Sequence, residues 1–187
     1  MSQKIYLCRH ASYTNLKNQK LTEQGKRNSK ELGEYLRQFV PPESAFFITS
    51  TQPRTIYTAE IVAGYMGTPL KKGNHCAVFD LCEVQLRDDV GEAGLLGMFS
   101  KSELKRLPTS EKIAKIVSRN FVKIGDKHPD KSLIAILHGN VNCAFLYQAY
   151  NKEKSLENYR MSHCALWELE RNGTEIVPLE QRFGPAD

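Results

Sequence analysis

The chain has 187 residues and a mass of 21.3 kDa, which fits one domain with a substantial core, so we predict a single domain over residues 1–187. Hydrophobic residues make up 41% of the sequence and no apolar run approaches the roughly 18 residues of a spanning helix, so we expect no membrane partner. The net charge of +5 is spread over segments in which Lys and Arg alternate with Glu, such as 26–37 and 101–115, rather than along one basic stripe. We therefore expect no nucleic-acid partner.

The first residues and the cysteines both favour a cytoplasmic protein. Residues 1–6 lead directly into strand-like sequence, without the apolar segment of a secretory leader. The five cysteines are odd in number and widely spaced, and they include no C-x-x-C pair. This pattern favours reduced core residues over a disulfide framework or a zinc site.

Short β-forming runs alternate with segments of helical periodicity. We predict strands at 4–8, 45–49, 77–82, 133–137 and 165–170, the last an edge strand before an Asn172-Gly173 turn. Helices are predicted from an N-cap at Thr22 to Pro41, from Pro53 to the stretch 64–69, and at 101–107, 110–123 and 141–150, with a loop at 88–97. Strands separated by helices predict a three-layer α/β/α sandwich with a mostly parallel central sheet.

Polar or charged side chains follow four of the five predicted strands. Arg9 and His10 follow the first strand, Arg54 lies just inside the helix after the second, Glu83 follows the third and His138 the fourth. Ligands of open α/β sheets collect at the carboxyl ends of the strands, so we expect these groups to converge. Phosphoryl transfer requires an unprotonated nitrogen nucleophile, cations for the phosphoryl oxygens and an acid for the leaving alkoxide. Two histidines, two arginines and one glutamate supply these requirements.

Each of these residues taken alone also has a structural interpretation. A single histidine is as often structural as catalytic, Arg54 alone would be a cation on a helix surface, and Glu83 alone would be a solvated strand end. Their joint placement favours a site. The remaining histidines have no comparable neighbours, and we interpret them as surface or structural residues: His75, His128 and His163.

Five segments resemble motifs of the histidine phosphatase (phosphoglycerate mutase-like) superfamily, in that family's order. They are Leu7-Cys8-Arg9-His10, Leu21-Thr22-Glu23-Gln24-Gly25, 49–59 with Arg54 and Thr58-Ala59 in register, Leu81-Cys82-Glu83, and Leu137-His138-Gly139. The resemblance implies a phosphoglycerate mutase-like fold in which Arg9, Arg54, His10 and His138 form the phosphate pocket. It also implies that His10 becomes phosphohistidine and that Glu83 is the general acid and base. No metal or diffusible cofactor is implied.

The residues after His10 depart from the family's pattern. Ala11 replaces the motif glycine, which is tolerated if the backbone φ there is negative. Ser12 stands where commoner versions have Glu or Asp, so a polar contact in the pocket changes or is lost. Asn15 lies one residue short of a loop asparagine that many members place on the substrate. We include Ser12 and Asn15 among the candidate substrate-binding residues.

Hydrolysis of a phosphomonoester or a phosphohistidine is the expected activity, on a phosphorylated small molecule or a phosphoprotein. Between Glu83 and Leu133 the sequence has room for only about two short helices, so the pocket should be open to water. One alternative is a phosphoglycerate mutase-type isomerase, which would have to shield its phosphoenzyme from water. The other is a catalytically impaired protein that binds a phosphorylated ligand or acts as a scaffold, because of the changes at Ala11 and Ser12.

Overall fold

The structure is a computed structural model that describes residues 2–15, 17–68, 70, 76–79, 109–151 and 156–184. In these ranges the strands are β1 (Ser2–Arg9), β2 (Ala45–Ser50), β3 (Cys76–Phe79), β4 (Ser132–Leu137), β5 (Leu166–Asn172) and β6 (Glu175–Phe183). The helices are α1 (Glu23–Leu36), α2 (Pro53–Met66), α3 (Ser110–Lys127) and α4 (Gly139–Ala149), with single 3-10 turns at Pro42–Ser44 and Leu156–Tyr159. In the described part of the chain, no helix combines the length and the apolar character needed to cross a bilayer.

The strands form one six-stranded sheet in the order β3-β2-β4-β1-β5-β6. The first four strands in this order are parallel to one another, while β5 runs antiparallel to β1 and β6 antiparallel to β5. Each face of the sheet is covered by a pair of helices. The predicted three-layer α/β/α sandwich with a mostly parallel sheet is therefore confirmed.

Two hydrophobic cores lie on the two faces of the sheet. Along β1 the side chains alternate, so that Ile5 and Leu7 pack with α3 and α4 while Tyr6 and Cys8 pack with α1 and α2. Burial on both faces is why the central strands have continuous apolar sequences instead of an alternating pattern. The same burial fixes the register of the strands, and with it the positions of the residues at their carboxyl ends.

The sequence prediction is wrong at the antiparallel edge of the sheet. The strand predicted at 165–170 is not an edge strand, because β5 pairs with β1 on one side and with the unpredicted β6 on the other. The turn between them is at Asn172-Gly173, as predicted, and Gly173 has a positive φ of 63°. Pro178 lies inside β6, which an outer strand tolerates because one side of its backbone needs no partner.

Other boundaries differ less. Helix α2 continues through Gly64 to Met66, and its C-cap Gly67 takes the left-handed conformation with φ 83°. Thr22 is the N-cap of α1, as predicted, and its hydroxyl accepts a hydrogen bond from the backbone N–H of Gly25 at 2.9 Å. The predicted loop at 88–97 and helix at 101–107 lie outside the described residues.

Gly25 lies in the first turn of α1, against the loop that follows β1. A Cβ at this position would be 2.3 Å from the backbone oxygen of Ser12, so the backbone would have to move. We predict that Gly25→Ala lowers the free energy of unfolding by about 1–3 kcal/mol, the usual cost of overpacking. Denaturant unfolding curves measure this change.

Gly64→Ala is the matched control for that substitution. A Cβ on Gly64 would meet no atom within 4 Å, and the residue is in the interior of α2. Alanine there should raise the free energy of unfolding by about 0.5–1 kcal/mol, because it lowers the entropy of the unfolded chain. Equal shifts for the two variants would contradict the assigned contact between Gly25 and Ser12.

Candidate active site

Four of the predicted pocket residues meet at the carboxyl edge of the parallel strands. Arg9 is the last residue of β1 and His10 follows it, His138 follows β4, and Arg54 is in the first turn of α2 after β2. The ring centroids of His10 and His138 are 5.4 Å apart. Both rings are fully buried and Arg54 is 3% exposed, so the groups interact in a region of low dielectric.

His10 has the tautomer that a nucleophile needs. Its Nδ1 lies 2.8 Å from the carbonyl oxygen of Ala11, and because a carbonyl only accepts, Nδ1 carries the proton. The lone pair is then on Nε2, which accepts a hydrogen bond from Nε of Arg54 at 3.2 Å. Burial lowers the pKa of His10 to about 2 despite the bond to Ala11, and His138, Arg54 and Arg9 lower it further. The imidazole is therefore neutral near pH 7.

His138 is held in the opposite tautomer. Arg54 Nη2 lies 3.2 Å from His138 Nδ1, and because a guanidinium only donates, Nδ1 accepts. Nε2 therefore carries the proton and donates to the hydroxyl of Ser50 at 2.7 Å, which is in turn 2.9 Å from the hydroxyl of Thr55. Burial lowers the pKa of His138 to about 3, and the charges of Arg54 and Arg9 act in the same direction. The second imidazole is also neutral, and its lone pair faces a cation.

The guanidinium of Arg54 has a third acceptor that the sequence did not indicate. Its Nη1 donates to the side-chain oxygen of Gln19 at 2.8 Å, and the Gln19 amide nitrogen donates to Gln52 at 2.7 Å. The guanidinium carbon also lies 4.9 Å from the ring centroid of Tyr13, within the range of a cation–π interaction. The loop after β1 thus contacts this cation through Gln19 and Tyr13, in addition to the bonds that Arg54 makes with the two histidines.

Arg9 lies beside the first turn of α4. A Cβ on Gly139 would be 3.0 Å from Arg9 Nε, so glycine leaves the room that this guanidinium occupies. Its Nη1 donates to the backbone oxygen of Met161 at 2.6 Å. The N-terminus of α4, which begins at Gly139 directly after His138, adds a partial positive charge at the same place. Guanidiniums and a helix N-terminus together favour an anionic ligand.

The departures from the family pattern are accommodated locally. The non-glycine residues with positive φ in the described ranges are Gln19, Asn151 and Cys164, so Ala11 has an ordinary backbone conformation. Its side chain is fully buried and its N–H donates to the hydroxyl of Thr58 at 3.0 Å. The extra methyl group therefore fits beside His10.

The other predicted site residues are less directly connected to the histidines. The hydroxyl of Ser12 is 2.7 Å from that of Thr22 at the start of α1. Asn15 is exposed, and its side-chain oxygen accepts the backbone N–H groups of Lys17 and Asn18 at 3.0 and 3.1 Å. Their role as substrate contacts stays a prediction. Glu83 lies outside the described residues, so its role as general acid and base also stays a prediction.

A third imidazole contacts His10. The ring centroid of His163 lies 5.5 Å from that of His10, so its interpretation as a surface or structural residue misses this contact. His128 does have a structural position, stacked on Phe46 with centroids 4.0 Å apart. His75 lies outside the described residues.

Among the described residues, no group of three or more His, Cys, Asp or Glu side chains is arranged to hold a metal ion.

Comparison with known families agrees with this geometry. Residues 5–181 match the family model of the histidine phosphatase superfamily (branch 1). The chain belongs to this superfamily. Among curated proteins it is 25% identical over 158 residues to the uncharacterized phosphatase PhoE of Bacillus subtilis (strain 168), covering 80% of this chain and 75% of PhoE.

Solved structures with the same fold include both mutases and phosphatases. A phosphoglycerate mutase from Bacillus anthracis str. Sterne superposes with a TM-score of 0.71 at 17% identity, covering 95% of this chain and 92% of the mutase. A phosphoserine phosphatase from Entamoeba histolytica, solved with 3-phosphoglyceric acid, has a TM-score of 0.70 at 11% identity, with 97% of each chain covered. At these identities the similarity establishes the fold alone.

The two neutral histidines should make the protein less stable in acid. The folded pKa values, about 2 for His10 and about 3 for His138, lie below the ordinary value of 6.5, so the unfolded chain binds more protons below pH 6.5. The free energy of unfolding should then decrease as the pH is lowered, by up to ~1.4 kcal/mol per pH unit for each histidine. Denaturant unfolding between pH 7.5 and 4.5, in buffer without phosphate, measures this slope.

The double variant His10→Gln/His138→Gln lacks both titrating rings and is the matched control. Its free energy of unfolding should vary less with pH over the same range. Identical slopes for the wild type and the double variant would show that these imidazoles do not resist protonation in the folded state.

Proposed function

We propose that the protein is a phosphatase that hydrolyses a phosphomonoester or a phosphohistidine through a covalent phosphohistidine at His10. The observation that carries this proposal is the state of His10: a buried, neutral imidazole whose Nε2 lone pair faces the guanidinium of Arg54 at 3.2 Å. A nucleophile of this kind needs no general base to become active. The nearby cations suit the negative charge of a phosphoryl group. We further propose a phosphorylated small molecule or a phosphoprotein as the substrate.

The first step is the transfer of the phosphoryl group to His10. The guanidiniums of Arg9 and Arg54 bind the phosphoryl oxygens, which requires Arg54 Nε to leave His10 Nε2 and turn to the anion. The Nε2 lone pair then forms the N–P bond as the P–O bond to the leaving group breaks. Glu83 donates a proton to the departing alkoxide. This assignment of Glu83 comes from the sequence.

The second step is hydrolysis of the phosphoenzyme. Water attacks phosphorus while Glu83 accepts a proton from it, and the electrons of the P–N bond return to Nε2. Inorganic phosphate is released and His10 is again neutral. His138 Nδ1 accepts from Arg54 Nη2 at 3.2 Å, so His138 helps to orient the guanidinium that binds the phosphoryl oxygens.

Hydrolysis is preferred over isomerisation for two reasons. PhoE, the curated relative reported above, is named a phosphatase and aligns with 80% of this chain. The sequence between Glu83 and Leu133 is also short for a segment that would have to enclose a phosphoenzyme and exclude water from it. The likeness to the Bacillus anthracis mutase is a likeness of fold and does not favour isomerisation.

Product analysis separates the candidate functions. The protein is incubated with para-nitrophenyl phosphate, with a phosphohistidine peptide, and with 3-phosphoglycerate plus its bisphosphate primer. We expect free phosphate to be the main product. If 2-phosphoglycerate forms faster than free phosphate, the protein is a mutase. If inorganic phosphate binds but none of these substrates is turned over, the role in binding a phosphorylated ligand is favoured instead.

A further inference from the structure

A third imidazole, that of His163, lies at the carboxyl edge of the sheet beside His10 and His138. The proposed reaction gives it no role. Across the sheet the order of strands is β2, β4, β1, β5, and the residues at this edge follow in the same order: Arg54, His138, His10, His163. His163 lies just before β5, and β5 is antiparallel to β1. The start of β5 is therefore next to the end of β1, on the side of His10 away from His138.

The turn that carries His163 is fixed to the residue next to the nucleophile. Arg9 donates its N–H to the carbonyl of Ala165 at 3.1 Å, and Cys164 donates its N–H to the carbonyl of Arg9 at 3.1 Å. The guanidinium of Arg9 also holds the carbonyl of Met161 at 2.6 Å. Cys164 has a φ of 61°, a left-handed conformation that is unfavourable for a residue with a side chain. The fold maintains this conformation directly after His163, as is common beside functional groups.

His163 is as close to the nucleophile as His138 is. The centroid distances to His10 are 5.5 Å and 5.4 Å, with interplanar angles of 56° and 66°. The two flanking rings differ in exposure, because His138 is fully buried while His163 is half-buried. Of the two flanking rings, His163 is therefore the one that solvent reaches.

We propose that His163 is a further substrate-binding residue that donates a hydrogen bond to an oxygen of the phosphoryl group from the β5 side. The proposal rests on the proposed function, because the phosphoryl group it contacts is the one transferred to His10. The ring centroids of His138 and His163 lie at nearly equal distances of 5.4 and 5.5 Å from that of His10. The proposal places the oxygens of a phosphoryl group on His10 within hydrogen-bond reach of both flanking rings. With Arg54 and His138 on one flank, His163 supplies a donor on the other.

A pair of substitutions separates hydrogen bonding from ring packing. His163→Phe keeps an aromatic ring against His10 but removes the N–H donor, whereas His163→Gln removes the ring and keeps a donor. For His163→Phe we expect the KM for para-nitrophenyl phosphate and the inhibition constant of vanadate to rise roughly tenfold or more. His163→Gln should retain most of the affinity. Wild-type values of both constants in His163→Phe would overturn the proposal.

A binding measurement on the wild type tests the proposal without turnover. Inorganic phosphate is titrated into the protein while the imidazole resonances of His163 are followed by NMR, with His128 as the distant reference. We expect the His163 resonances to shift with the same dissociation constant as those of His10. No shift at His163 while His10 responds would overturn this inference and leave the proposed function intact. Phosphate binding without turnover of any substrate would instead refute the proposed function.

Discussion

His10→Ala should abolish the hydrolysis of para-nitrophenyl phosphate, with a fall in kcat of about 10³-fold or more. The substitution removes the only described imidazole nitrogen that combines an unprotonated state with a contact to Arg54 Nε. The hydroxyl of Ser50 should not take over as nucleophile, because it is engaged by His138 and Thr55 at 2.7 and 2.9 Å. Burial raises the pKa of the nearby Cys8 thiol, which keeps it protonated and unreactive.

The proposed covalent intermediate gives a second measurement for the same variant. Wild-type protein mixed with radiolabelled substrate and quenched in alkali should retain a phosphoryl group that is released in acid, as expected of a phosphoramidate, and His10→Ala should retain none. His128→Ala is the control, because that ring stacks on Phe46 away from the site. It should lower stability and leave turnover per folded molecule unchanged. Label retained by His10→Ala would place the phosphoryl group on another residue.

The convergence of His10, His138 and Arg54 could be predicted from the sequence because of the parallel sheet. In parallel strands all carboxyl ends lie at one edge, so a residue directly after an apolar run is placed there whatever its distance along the chain. The prediction needed only the strand ends. It could not provide the tautomers, which depend on the carbonyl of Ala11 and the hydroxyl of Ser50.

The sequence analysis missed the contact of His163 with His10 because the rule about strand ends holds only for parallel strands. His163 precedes β5, which is antiparallel to β1. The start of such a strand, not its end, lies at the carboxyl edge of the parallel strands. No feature of the local sequence distinguishes a residue before β5 from any other turn residue.

Strand β6 was missed because it has Pro178 in its middle and only one buried position, so its sequence shows no apolar alternation.

Gln19 was missed because of the backbone conformation of its loop. It has a φ of 51°, which is rare for a residue other than glycine, asparagine or aspartate, and the sequence around it gives no turn motif. The loop is closed by a hydrogen bond from the Thr14 N–H to the Lys20 carbonyl at 2.8 Å and by the bridge between Tyr13 and Leu21. These tertiary contacts bring the Gln19 side chain to Arg54. The hydrogen bond between the two residues could therefore be identified only from the structure.

Arg54→Ala should reduce kcat by about 10²–10³-fold, because it removes a cation that stabilises the negative charge of the phosphoryl group in the transition state. Arg54→Lys should recover little of this loss. In the wild type Nε, Nη1 and Nη2 donate to His10, Gln19 and His138 at 3.2, 2.8 and 3.2 Å, and a single ammonium cannot reproduce this planar arrangement. Steady-state kinetics with para-nitrophenyl phosphate and inhibition by vanadate measure both effects.

Two further results distinguish this role from general damage to the fold. Arg37→Ala is the matched control, because Arg37 is exposed at the end of α1, and it should leave kcat and vanadate inhibition unchanged. Arg54 also lowers the pKa values of His10 and His138, so its loss should raise both and weaken the decline of stability in acid. If Arg54→Lys restores wild-type kcat, the site needs only a point charge, and the planar contacts to both histidines are not part of catalysis.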